Sequence, residues 1–440
     1  MRFSEPCDHL RSNSSEFISK CLRLSCDHLF QPLSTMFPAV SILLLFLAFP
    51  LVLGGSSNSS TPFLFSEEDA LLTVPQLITK YGYEVEEHLV RTEDGYLLTM
   101  FRIPARRRRR RKHPVFMMHS LFSSSSEWVL IGRKHGLAYL LANRGYDVWM
   151  GNARGTRYSR SHERYSISSS EFWDFSFHEI GFYDIPALVD YVLERTGTRR
   201  LHYVGFSQGA MACFIALSDR HGLNEKIIEM QALSPAVYMH RSLSVFVKFV
   251  VSAVQKLSDI LYSASRSEFL PNREKQYFFY QRLCPSPEQT ICRTVIYDMV
   301  GKNPEKLGVK TLRIFSGHYP AGASMKQALH YAQIIRDGIF RQFDYRDPGT
   351  NFQRYGSPHV PRYNLSRATL PVRTYFGYND HVVNYLNVLQ LEQELPNVVG
   401  SYPVSDKLFT HFDFVIGSEV KEVLYDEVVR NVEKAERGVF

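Results

Sequence analysis

The feature that most constrains this chain is Gly205-Phe206-Ser207-Gln208-Gly209, set between two apolar runs, Leu201 to Val204 and Ala210 to Leu217. The first run has the length of a buried strand, the second that of a buried helix. A G-x-S-x-G pentapeptide at such a junction makes a tight, strained turn. Its glycines let backbones approach where a side chain would clash, and its serine hydroxyl stands exposed at the top of a sheet. The helix that follows aims its N-terminus at the serine and favours negative charge developing there. By itself the pentapeptide also describes an ordinary strand-to-helix turn. The flanking strand and helix are what point to a nucleophile.

A serine hydroxyl needs a base, and the base needs a carboxylate to orient it. In folds built around this turn the chain order is Ser, then Asp or Glu, then His. Asp380 follows the apolar stretch Val372 to Phe376, and His411 stands in Thr410-His411-Phe412-Asp413-Phe414 after a late strand-like stretch. Both fall at predicted strand ends, where loops converge on Ser207. His381 precedes the last strand, and Asp413 is too near His411 along the chain to be its orienter. An oxyanion needs two backbone N–H donors. Gln208, next to the nucleophile, is one. Leu121, in the loop His119-Ser120-Leu121 after the strand Pro114 to Met118, is the other. His119 is expected to buttress that loop. No metal or cofactor is called for.

Around these residues the chain alternates strand, turn and helix, which predicts an α/β fold with a mostly parallel sheet and helices on both faces. Tyr83 to Val90 and Tyr96 to Ile103 read as a hairpin turned by Glu93-Asp94-Gly95, and Val148 to Met150 as a short buried strand. Asp184 reads as the N-cap of a helix with Pro186 in its first turn and Gly197 at its end. Val388 to Leu395 and Lys421 to Val432 read as helices. Residues 236–350 break the rhythm with the amphipathic stretch Val245 to Leu261. They are expected to form a cap inserted between two parts of one core, 66–235 and 351–440. The chain has 440 residues, 45% of them hydrophobic and 22% charged, an ordinary globular balance.

The N-terminal region reads differently. Ala39 to Leu53 is leucine-rich and shorter than the roughly twenty apolar residues of a spanning helix. Small residues, Gly54 to Ser57, follow it. Residues 36–57 are therefore expected to be a signal peptide, with the mature chain starting near Ser56 to Asn58. Residues 1–35 are a polar extension, either part of a long leader or upstream of a true start at Met36. Asn58 and Asn364 lie in glycosylation sequons. Cys284 and Cys292 are close enough in sequence to close a small loop in an oxidising compartment. Cys213, on a predicted buried helix, reads as an inert core thiol.

The formal charge of +7 is no sign of a nucleic-acid partner. The run Arg106 to Lys112 accounts for the whole excess of basic over acidic residues. Seven adjacent cations belong in an exposed loop between strands. They fit a tolerated insertion, a contact with anionic lipid surfaces, or a target for trypsin-like proteases.

At these residues the chain resembles the animal acid lipases, the group of gastric and lysosomal lipases and many insect gut lipases. The resemblance runs from about Val74 to Val432. It rests on Gly82-Tyr83, Thr92 to Tyr96, Gly145 to Trp149 with Gly151 to Gly155, Glu171 to Phe177, Tyr183 to Pro186 and His318 to Gly322. It implies an α/β-hydrolase fold, a cap over the site, an apolar acyl-binding tunnel and hydrolysis of neutral lipid esters, such as acylglycerols or steryl esters, at a lipid–water interface. It assigns Ser207, Asp380 and His411 as the triad, Leu121 and Gln208 as oxyanion donors, and Cys284–Cys292 as the cap disulfide. Three features depart from the family, one of them the run Arg106 to Lys112, longer and more basic than the usual connection there. Phe206 stands where His is usual, and Ser120 where Gly is usual, which would strain the loop if that position needs φ > 0. A carrier without catalysis and an esterase for small soluble esters remain alternatives. The destination is extracellular, such as a gut lumen, or lysosomal. The oligomeric state is not indicated.

Overall fold

The computed structural model describes residues 68–105, 112–270, 290–304 and 306–440. The expected leader, Asn58, Arg106 to Arg111 and Cys284 lie outside these residues, as does the side chain of Cys292. The expected disulfide therefore also lies outside them.

Eleven strands are described: β1 (Glu86–Arg91), β2 (Tyr96–Ile103), β3 (Val115–Met118), β4 (Val148–Met150), β5 (Ser161–His162), β6 (Leu201–Phe206), β7 (Ile227–Leu233), β8 (Glu268–Phe269), β9 (Ala323–Ser324), β10 (Val372–Phe376) and β11 (Val398–Pro403). Nine of them form one sheet in the order β1-β2-β4-β3-β6-β7-β10-β11, with β5 paired to β2. From β4 to β11 all pairs are parallel, while β1, β2 and β5 pair antiparallel.

The strands β3 and β4 are apolar on both faces because both faces are covered. Along β3, Phe116 and Met118 enter one core with Leu188, Val192, Met211 and Ile215. Val115 and Met117 enter the other with Leu77, Leu137, Val428 and Val432. The helices Ile185–Thr196 and Gln208–Asp219 thus pack one face, and Val74–Lys80, Leu137–Asn143 and Asp426–Glu436 the other.

Between β7 and β10 in chain order lie the helices Val245–Lys256, Ser258–Ser263, Thr290–Val300, Val309–Ser316 and Met325–Asp337. Between them β8 and β9 make a separate two-stranded sheet. The amphipathic stretch from Val245 is thus two helices, the first packed on Met325–Asp337. No helix among the described residues is long and apolar enough to cross a membrane.

Three local expectations change. Tyr83 is not in a strand: it follows the helix Val74–Lys80, stacks on Tyr139 and donates to Asn143 Oδ1, and β1 starts at Glu86. Lys421 to Tyr425 form a π-type turn before the regular helix Asp426–Glu436. Asp184 is not an N-cap. The helical path starts at Ser176, whose hydroxyl accepts from His178 N–H in a capping box with Glu179, and runs through a π-type turn into Ile185. Lys112, the last residue of the basic run, is also not a free cation. It sits 3.6 Å from Glu433 and over the Tyr146 ring.

The Asp184 carboxylate has another task. Arg154, 1% exposed, donates Nε and its own backbone N–H to Asp184, and both terminal nitrogens to Asp94 in the β1–β2 turn. Its guanidinium lies 4.0 Å from the Tyr96 ring centroid. One buried cation thus joins the hairpin, the segment after β4 and the helix behind the sheet. Removing one partner of such a pair leaves a charge buried alone. Arg154→Met is expected to lower the unfolding free energy by about 3–5 kcal/mol in urea denaturation, and a loss under about 1 kcal/mol would contradict this role.

Candidate active site

The turn after β6 holds Ser207 at φ 52°, ψ −111°, a conformation side chains rarely adopt. Its neighbours enforce it. A Cβ on Gly205 would lie 2.7 Å from Ala210 N, and one on Gly209 would lie 2.1 Å from Met118 O. Only glycine lets the helix Gln208–Asp219 sit that close to the end of β3. The Ser207 N–H donates to Leu233 O at 2.8 Å, and Ser207 O accepts from Ala236 N–H at 3.3 Å. The end of β7 therefore grips the serine backbone on both sides.

The three residues expected from the sequence come together. His411 Nε2 is 3.1 Å from Ser207 Oγ, and His411 Nδ1 is 2.7 Å from Asp380 Oδ2. A carboxylate at Nδ1 fixes the proton there and turns the Nε2 lone pair toward the hydroxyl, the arrangement of a general base. Asp380 Oδ1 accepts from the N–H groups of Val382 and Val383 at 2.9 and 2.8 Å. Asp413 does not face this line. It accepts from Thr410 N–H and Oγ and from Asn303, which fixes the turn carrying His411. His381 contributes its carbonyl, which accepts from Ser242 Oγ and Leu243 N–H. Phe206 lies against the imidazole, ring centroids 4.9 Å apart, and stacks on Phe414. An apolar ring thus fills the position where the family usually has histidine.

The loop after β3 is pinned at His119, Ser120 and Phe122. His119 Nε2 accepts from Ala153 N–H at 3.0 Å, so Nδ1 carries the proton and donates to Ser120 O at 2.7 Å. Burial pushes this imidazole down to about 4, so it stays neutral. Phe122 O accepts from Ala321 N–H, which ties the loop to His318-Tyr319-Pro320-Ala321-Gly322. Ser120 is not strained, since Phe122, at φ 59°, takes the left-handed position instead. Neither the Leu121 nor the Gln208 N–H donates to any described group. Gln208 Oε1 accepts from Gln327 and Tyr331 of the helix Met325–Asp337.

Three contributors escaped the sequence: Glu127, Gln327 and Ser234. Glu127 is 1% exposed and holds Ser120 by its N–H at 3.0 Å and its hydroxyl at 2.8 Å. It is the one Asp, Glu, Lys or Arg between Pro114 and Gly132, a signal that could have marked it. Ser234 donates to Asp380 Oδ2 at 2.6 Å. No local pattern marks it or Gln327. Cys213 is buried, and burial pushes its thiol up, which suits an inert residue. Asn364 is exposed, its side chain accepting from Ser366 N–H and hydroxyl. No group of three or more His, Cys, Asp or Glu that could hold a metal ion occurs among the described residues.

A nearly parallel sheet, a strained serine turn and a Ser–His–Asp line at its strand ends define the serine hydrolases of α/β architecture. Comparison with known proteins agrees. Residues 113–417 match the α/β-hydrolase fold family, and residues 74–132 match the partial α/β-hydrolase lipase region. Lipase 1 of Drosophila melanogaster is 40% identical over 84% of this chain and 82% of its own. Gastric triacylglycerol lipase of Rattus norvegicus is 33% identical over 82% of this chain and 91% of its own. Human lipase member K is 32% identical over 82% and 90%. The chain belongs to the α/β-hydrolase family, in the branch of the animal acid lipases, and is a lipase-type ester hydrolase.

The Glu127 carboxyl generates a pH signature. Burial pushes it up from 4.5 to about 8. Below about pH 4.5 it is protonated in folded and unfolded chains alike. Between there and about 8 the unfolded chain ionises and the folded chain does not, so stability falls as pH rises. The unfolding free energy of wild type relative to Glu127→Gln should therefore decline from pH 4.5 to 8. Parallel stability curves for the two proteins would contradict a buried neutral acid.

Proposed function

We propose that this chain hydrolyses neutral lipid esters, acylglycerols or steryl esters, through an acyl-enzyme on Ser207. The observation that carries the reading is the unbroken line Ser207 Oγ–His411–Asp380 beside two N–H groups, of Leu121 and Gln208, without a described acceptor. His411 Nε2 takes the hydroxyl proton as Ser207 Oγ attacks the ester carbonyl. Asp380 stabilises the imidazolium that forms. The N–H groups of Leu121 and Gln208 receive the developing oxyanion, and the helix dipole behind Ser207 adds to them. The imidazolium then gives its proton to the departing alcohol. Water, activated by the same base, releases the fatty acid.

The preference for a lipid over a small ester rests on the lipase activity named for the relatives and on the segment between β7 and β10. Ser207 and His411 are each only 5% exposed. We take residues 236–350 as a cap that must shift to admit a long acyl chain. Helix Met325–Asp337 is bonded through Gln327 and Tyr331 to the residue beside the nucleophile, so movement of the cap and the setting of Gln208 are linked. An expected leader, with two sequons as weaker support, favours the secretory route, to the extracellular space or the lysosome.

The test is a panel of p-nitrophenyl esters of rising acyl length, emulsified triacylglycerol and cholesteryl ester, with wild type and Ser207→Ala. Wild type should prefer the emulsified long-chain substrates, and Ser207→Ala should lose roughly 10⁴-fold or more in kcat. Equal rates for the two proteins would end the mechanism. Turnover of short soluble esters only would replace the lipid reading with that of a small-ester esterase.

A further inference from the structure

A single tight turn at the end of β7 touches every member of the Ser207–His411–Asp380 line. Leu233 O and Ala236 N–H hold the Ser207 backbone. Between them Ser234, fully buried, donates its hydroxyl to Asp380 Oδ2 at 2.6 Å, and its oxygen lies 3.3 Å from His411 Nδ1. The Ser234 backbone sits at φ 41°, and its N–H donates to Tyr375 O at 2.8 Å, bridging β7 to β10. A serine at positive φ is uncommon and persists only where its surroundings over-determine it.

The Asp380 carboxylate explains why a hydroxyl belongs here. The carboxylate is 1% exposed, and a buried charge needs its lone pairs filled. Oδ1 has the N–H groups of Val382 and Val383. Oδ2 has His411 Nδ1 and Ser234 Oγ. Without the hydroxyl, Oδ2 keeps one donor, and that donor is the group it must orient. The carboxylate plane could then twist about the two backbone bonds, and the imidazole would follow it off the Ser207 line.

We propose that Ser234 is a positioning residue: its hydroxyl locks the Asp380 carboxylate in the plane that presents Oδ2 to His411. It acts on the reaction only through Asp380. This rests on the triad reading given above, and the experiment separates the two.

The experiment is a double-mutant cycle of Ser234→Ala and Asp380→Asn, read as kcat and KM on a soluble p-nitrophenyl ester. Hydrogen bonds to charged groups set the scale. Ser234→Ala alone should lower kcat by about ten- to a hundredfold with KM little changed. In the Asp380→Asn background the same substitution should cost nothing further. Ser234→Gly removes the hydroxyl but suits the positive φ, so it should fold at least as well and show the same loss in kcat. A loss of equal size in both backgrounds would make Ser234 a structural turn residue and overturn the proposal. So would wild-type kcat in both the Ala and the Gly variant. If Asp380→Asn itself leaves kcat unchanged, the triad reading fails, and the positioning role fails with it.

Discussion

A serine held at φ 52° persists only because the structure around it leaves no alternative. Met118 O sits where a Cβ of residue 209 would be, so the helix Gln208–Asp219 is pressed onto the end of β3 with nothing between them. From that contact the rest follows. The helix N-terminus points at Ser207 Oγ, the Gln208 N–H is left without a helical acceptor, and the loop after β3 is brought alongside. The strain sits at the reacting atom, and the binding that holds it is spread over β7, β3 and the segments beyond.

The loops around the serine are tied to one another and to the segments beside them by buried polar contacts. His119 reaches Ala153, Ser120 reaches Glu127, Phe122 reaches Ala321, and Asp413 fixes the turn of His411. Several family signatures turn out to be these ties. The Asn152-Ala153-Arg154 stretch supplies Asn152 to Ser125, the Ala153 N–H to His119, and Arg154 to the two carboxylates of Asp94 and Asp184. This stretch therefore holds the loop after β3, and with it the surroundings of the nucleophile, through buried polar contacts.

Ser207 and Asp380 were legible because each follows a buried strand, and His411 because it follows the last strand-like stretch; parallel strands bring their C-terminal ends to one edge. The order Ser, Asp, His then chose among many histidines and aspartates. What was not legible depends on partners remote in sequence. Asp184 has every local mark of an N-cap before Ile185-Pro186, yet a buried arginine claims its carboxylate, and the helical path starts earlier at Ser176. Ser234 meets Asp380, and Gln327 meets Gln208, only after the sheet has formed. Ser120 looked like a strained replacement of glycine. It is instead an unstrained residue whose hydroxyl meets a buried glutamate. Local pattern carries the nucleophile and the sheet, and tertiary contacts decide which polar residues serve them.

The central claim is that one serine, activated by His411, carries the chemistry. Stoichiometric reaction with a serine-directed alkyl phosphonate, located by peptide mass spectrometry, tests it most directly. The account predicts one adduct per chain on Ser207, formed far more slowly in His411→Ala. An adduct on any other serine, or labelling of Ser207 at an unchanged rate without His411, would contradict it.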